Sequence, residues 1–157
     1  MREGVNKVAE FKLSAEDIQI KIHADSWQTA LRKAAKPLID QGNITTDYVE
    51  NMIKAVIKYG PYIVIAPGLA LGHAEPDASV IKTGYAITTL AEPVTFGSKE
   101  NDPVDIVVVL ASINSTDHLK LLQKLVGFLG NADNIKALRK MSTEKDALDV
   151  VQAISKG

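Results

Sequence analysis

From Ile18 to Ile22 apolar and polar residues alternate strictly, with Ile20 set between Gln19 and Lys21. That is the pattern of a strand burying one face. It predicts an early strand region over residues 11–23, with His23 on its polar side, after a mixed, frayed lead-in over 1–10. The period then changes. Trp27, Ala30, Leu31, Ala34, Leu38 and Ile39 recur at helical spacing behind Asp25 or Ser26 as cap, and Gly42 closes the segment. Pro37 falls inside it and should kink or shorten the last turn. A second helix starts near Thr46–Asp47, where Asp47 and Glu50 have capping-box spacing. Tyr48, Met52, Ile53 and Val56 form its apolar stripe, and Gly60 ends it.

The run over 62–66 is short enough for one buried strand and empties into a loop holding Pro67, Gly68, Gly72 and Pro76 around His73. Residues 82–90 are rich in strand formers, 93–96 read as a short strand or a bend, and 97–103 have loop composition. The strongest strand is 104–113, whose unbroken apolar run from Ile106 to Leu110 predicts burial on both faces. Asn114, Ser115, Thr116 and Asp117 are all cap-forming residues, and a helix follows to about Leu129. Two more helices are predicted at 133–140 and, capped by Ser142, at 143–155. Strands interleaved with helices make this an α/β chain, a central mixed β-sheet sandwiched by helices, in one domain spanning residues 1–157.

Composition narrows the function classes. With 46% hydrophobic and 24% charged residues the chain has the make-up of a soluble globular protein. A net charge of −1 argues against a nucleic-acid surface. The absence of cysteine removes disulfides, thiolate chemistry and cysteine-ligated metals, and fits a cytoplasmic protein. No run approaches the roughly 20 apolar residues that span a bilayer, and the N-terminus has no signal-peptide core, so no membrane insertion is expected.

Candidate chemistry rests on three histidines: His23, His73 and His118. His73 follows one apolar strand. His118 lies in the first turn of the helix after another, where free N–H groups and the positive helix end favour anions and keep an imidazole neutral. If those strands are neighbours, two imidazoles flank one anion site. Phosphoryl transfer suits that set: an imidazole nitrogen as nucleophile, with dipoles holding the transferring oxygens. Pro67, Gly68 and Gly72 would shape the loop, and the backbone of Ser115 and Thr116 would bind phosphoryl oxygens. The bland alternatives are a surface or backbone-bonded His73, a merely packed or capping His118, and a structural His23. Gly68 and Gly72 match neither a dinucleotide fingerprint nor a phosphate loop, and His73-Ala74-Glu75 lacks the cysteines of a zinc deaminase. A metal held by His73, His118 and Glu75 or Asp77 stays open, as in a hydrolase. Trp27 reads as helix packing, and residues 99–102 as a solvated loop.

The residues from Tyr48 through His73, with Gly60-Pro61-Tyr62 and Ala66-Pro67-Gly68-Leu69-Ala70-Leu71-Gly72-His73, resemble the IIA components of the bacterial sugar phosphotransferase system, in the mannitol/fructose superfamily and within it the ascorbate type. Lys82-Thr83-Gly84-Tyr85, Asn101-Asp102-Pro103-Val104-Asp105-Ile106 and the helix-opening His118 add to the likeness, which runs from about residue 10 onward. The resemblance implies that His73 is the phosphorylated histidine and His118 the second active-site histidine supporting the phosphoryl group. It implies phosphate taken from the carrier protein HPr and passed to a cysteine on a IIB partner serving a membrane IIC, with no metal or nucleotide cofactor. The implied fold is the family's α/β sandwich. The chain departs from the pattern at Gly72, where the family usually has proline, and at Glu75, where ascorbate-type members often carry a basic residue. The arginine of mannitol-type members has no counterpart beyond Lys54 and Lys58 on the neighbouring helix. These departures leave a second reading, a regulatory interaction module of the same fold with weak or no phosphotransfer.

Overall fold

The computed structural model describes residues 14–156; the first part of the expected early strand, 11–13, and the lead-in before it lie outside the described residues. A short 3-10 turn precedes β1 (Ile18–Ile22). Then come α1 (Trp27–Asp40), α2 (Thr46–Tyr59), β2 (Val64–Ala66), β3 (Leu69–Gly72), β4 (Gly84–Val94) and β5 (Val104–Ala111). The chain finishes with α3 (Ser115–Leu129), α4 (Ala132–Lys140) and α5 (Glu144–Lys156). The sheet order is β1-β4-β5-β3-β2, with β1–β4 and β3–β5 parallel and the other two pairs antiparallel. This is the mixed, helix-covered sheet anticipated above.

The central strand explains the layering. In β5, Ile106, Val108 and Leu110 face a cluster built with Leu121, Leu125 and Leu138 of α3 and α4 and with Ala147, Val150 and Ile154 of α5. Val107, Val109 and Ala111 face the opposite cluster, where Leu31 of α1 and Met52 of α2 are packed. Both faces are therefore dry, which is why this strand is apolar at consecutive positions.

Several boundaries differ from the sequence reading, each for a local reason. Ser26, not Asp25, caps α1 by accepting the Thr29 N–H at 3.2 Å. The helix runs on through Pro37 to Asp40. Proline cannot donate to the Lys33 carbonyl one turn back, and the Gln19 side chain does so instead at 2.7 Å while holding Thr88 Oγ1 at 2.9 Å. The Asp47–Glu50 box does not form at α2: Thr45 is the cap, which puts Asp47 inside the first turn, and Glu50 pairs with Arg32 of α1 at 3.2 and 3.3 Å. The supposed strand-then-loop over 62–72 is a hairpin: β2 is shorter than expected, and the stretch taken for loop includes β3. β4 absorbs Pro93, whose missing N–H falls where the β4–β5 register breaks between Thr89 and Val94. Thr143, rather than Ser142, caps α5 by accepting the Asp146 N–H at 3.2 Å.

Two buried tyrosines differ in their hydroxyls. Tyr48 accepts the Ala74 N–H at 3.0 Å and donates to the Leu110 carbonyl at 2.6 Å, whereas the Tyr85 hydroxyl has no partner among the described residues. Tyr48→Phe orphans a donor and an acceptor, and should cost about 1–3 kcal/mol of unfolding free energy. Tyr85→Phe should leave stability unchanged or raised. Denaturant titration of the two variants checks the contrast, and equal effects would contradict it.

Candidate functional site

Parallel pairing of β3 with β5, Gly72 opposite Val109, puts the carboxyl ends of both strands on one edge of the sheet. His73 follows the first strand directly. Beyond the second, Ser112 to Asn114 turn the chain into α3, which carries His118. The two imidazoles meet there, ring centroids 5.6 Å apart and planes at 48°.

His73 is held on three sides. Its Nδ1 lies 2.9 Å from the Leu71 carbonyl. A carbonyl only accepts, so Nδ1 carries the proton and Nε2 keeps its lone pair. The Tyr62 ring stands edge-on to the imidazole, centroids 5.5 Å apart at 89°, and its hydroxyl donates to the His73 carbonyl at 3.0 Å. Just beyond, the Tyr48 hydroxyl ties Ala74 to Leu110 of β5, fixing the exit of β3 against its neighbour.

His118 sits one turn into α3. Its Nδ1 is 3.3 Å from Ser112 Oγ. Burial and the nearby His73 hold its pKa below the ordinary value, with Glu75 acting the other way. The helix start is well tied. Asn114 Oδ1 accepts the Asp117 N–H at 2.8 Å, and the Thr83 hydroxyl donates to the Asp117 carboxylate at 3.2 Å while accepting the Ile113 N–H at 3.0 Å. A helix leaves its first N–H groups outside its own ladder, which directs those of Ser115 and Thr116 outward. Ser115 borders the cleft, whereas exposed Thr116 is outside its wall.

The cleft over the two histidines has a volume of about 790 Å³, with Asn51, Tyr59 and Glu75 on its walls. No lysine or arginine lines it among the described residues. The two nearby cations of α2 are exposed, and Lys58 stacks at 5.1 Å on the Tyr59 ring. Among the described residues no three His, Asp or Glu side chains converge closely enough to hold a metal ion.

The glycines correct the sequence reading. Gly68 is in the β2–β3 turn (φ +75°), at the opposite end of β3 from His73. Four strand residues at about 3.3 Å each separate them, so Gly68 does not border the site. A Cβ there would lie 2.8 Å from Asp105 Oδ1 and 2.5 Å from Nη2 of Arg139, the pair that clamps α4 to this turn. Gly72 is a strand residue, not a loop former, and its space is filled by Leu31 and Met52, which a Cβ would approach to 3.1 and 3.3 Å. His23 is elsewhere, its two ring nitrogens each 2.8 Å from a carboxylate, Asp25 and Glu92. Those two hydrogen bonds raise its pKa. In an NMR titration His23 should therefore titrate above pH 6.5 and His118 below it. Because the folded state raises it, His23 adds stability that is fully present below its unfolded midpoint and lost as pH rises through the folded one. The reverse order of midpoints would contradict both environments. Tyr62, Tyr48, Thr83 and Ser112 belong to the site though the sequence reading gave them none of it. The available signal was the two tyrosines on otherwise apolar stretches, where a hydroxyl needs a partner.

The comparisons with known proteins agree with this architecture, which is that of a phosphotransferase-system component. The chain belongs to the family described as phosphoenolpyruvate-dependent sugar phosphotransferase system, EIIA 2, whose model matches residues 12–154. It is 33% identical over 137 residues to the ascorbate-specific EIIA component of Shigella boydii, covering 87% of this chain and 89% of that protein. The Escherichia coli K12 counterpart is 32% identical over the same span. Among solved structures, the cryptic mannitol-specific enzyme IIA of Escherichia coli superposes with a TM-score of 0.82 at 27% identity, over 96% of this chain and 99% of that one. The mannitol IIA of the same organism, solved in complex with phosphorylated IIB, superposes with a TM-score of 0.78 at 26% identity, over 91% and 99%.

Proposed function

We propose that this chain is a cytoplasmic phosphocarrier, a single EIIA domain that accepts phosphate from phospho-HPr on His73 and passes it to a cysteine of a IIB partner, for uptake of an ascorbate-like sugar through a membrane IIC. The observation that carries the reading is the Nδ1–H bond from His73 to Leu71, which leaves Nε2 as the free nucleophile beside His118. In the first step Nε2 of His73 attacks the phosphorus of phospho-HPr. The new N–P bond forms as the donor's N–P bond breaks, and the electron pair returns to the departing imidazole. The Leu71 carbonyl steadies the positive charge that His73 then carries. In the second step a IIB thiolate attacks the same phosphorus and the electron pair of the breaking bond restores Nε2. His118 and the N–H group of Ser115 hold the phosphoryl oxygens, a task of alignment and charge stabilisation.

The EIIA family match and the mannitol relative solved with phosphorylated IIB support this cycle. Glu75 on the cleft wall, where no Lys or Arg stands among the described residues, favours the second reading, a regulatory module that docks without transfer. A like charge 4 Å from a phosphoryl oxygen costs only about 1 kcal/mol in water, which slows transfer rather than preventing it. Incubation with phosphoenolpyruvate, enzyme I and HPr separates the two: labelling of the chain supports the carrier, and none supports the module.

A further inference from the structure

We propose that Ser112 is a positioning residue that sets the tautomer of His118, keeping the proton on Nε2 so that a neutral imidazole presents an N–H donor to the cleft. Ser112 follows Ala111 at the end of β5 and is 2% exposed. Among the described residues, the hydrogen-bonding neighbour of its Oγ is Nδ1 of His118, at 3.3 Å. Two arrangements are conceivable. In one, Nδ1–H donates to Oγ, and the serine proton is then left buried without an acceptor, which carries the full desolvation penalty of an unpaired donor. In the other, the serine hydroxyl donates to Nδ1, both groups are satisfied, and the imidazole proton is forced onto Nε2. The second is the arrangement the packing selects. His118 reaches the cleft wall, so its ring divides the work: Nδ1 faces the serine and Nε2–H faces the ligand.

The arrangement complements that at His73, where a carbonyl acceptor puts the proton on Nδ1. One ring is set as a nucleophile and the other as a donor, by two hydrogen-bonding partners of opposite character. A donor fixed before the reaction needs no reorganisation as charge moves through the phosphoryl oxygens. This inference rests on the phosphocarrier reading for its purpose, but not for its test.

The test is a long-range 1H–15N correlation spectrum of the unphosphorylated full chain, at a pH where His118 is neutral, for wild type, Ser112→Ala and Ser112→Thr. In wild type His118 should carry its proton on Nε2. Ser112→Ala should shift the tautomer ratio by roughly five-fold toward Nδ1–H, the weight of one neutral hydrogen bond, and Ser112→Thr should restore the wild-type pattern. A wild-type His118 protonated on Nδ1, or a ratio unchanged in a folded Ser112→Ala, overturns the assignment. Transfer from the phosphorylated chain to IIB, measured alongside, should fall by a similar factor in Ser112→Ala and recover in Ser112→Thr. If the spectra behave as stated and transfer does not change, it is the role given to His118 in transfer that fails.

Discussion

His73→Ala should abolish labelling of this chain by phospho-HPr, with the variant still folded. The side chain lies at the strand end and is half-buried, so its loss leaves the two core layers intact. What disappears is the atom proposed to form the N–P bond, with no neighbour placed to replace it. His118 is poised as a donor, and Tyr62 is engaged through its hydroxyl with the His73 carbonyl. Without the nucleophile there is no covalent intermediate, and the two-step route closes at its first step. The readout is incorporation of radiolabelled phosphate from phosphoenolpyruvate in the presence of enzyme I and HPr, with circular dichroism as the folding control. Labelling at the wild-type level in the folded variant would remove His73 from the mechanism.

His118→Ala should separate the two steps. The variant keeps Nε2 of His73 and its Leu71 anchor, so it still takes up phosphate. On the proposed reading it loses one preorganised donor to the phosphoryl oxygens, a loss that typically slows a charge-developing step about 10²-fold. The slowing should appear in discharge to IIB. In that step the phosphoryl group leaves a site whose nearest ring is His118, and the incoming thiolate brings further negative charge. Rapid-quench measurement of both steps distinguishes them. Equal slowing of uptake and discharge would mean that His118 only shapes the cleft, and unchanged discharge would mean that it takes no part.

Much of this was readable in the residues because the site is built where strong patterns end. The run from Ile106 to Leu110 read as a strand buried on both faces, and the four cap-forming residues after it as a helix start, so the place of His118 followed. Adjacency of the two expected strands does not hold as read: the strand within 62–66 is β2 at the sheet edge, and it is β3, read as loop, that lies parallel to β5 and brings His73 to His118. Less legible was β3 itself. Its four residues sit between Pro67-Gly68 and His73, and their strand character comes from pairing with β5, more than thirty residues away in sequence, which no local period encodes. For the same reason Gly68 was assigned to the site: in one dimension it is near His73, but extended chain carries it to the other end of the strand. Tyr62 and Ser112 were missed because their roles depend on which backbone group or ring nitrogen lies opposite, a fact of tertiary register alone.

The central claim is that Nε2 of His73, with Nδ1 tied to Leu71, is the atom that takes the phosphoryl group. The most direct test is NMR of the chain labelled with 15N in histidine, phosphorylated by phosphoenolpyruvate, enzyme I and HPr, reading which ring nitrogen couples to phosphorus. A single coupling to Nε2 of His73 is the predicted result. Coupling to Nδ1 of His73, or to either nitrogen of His118, would contradict it.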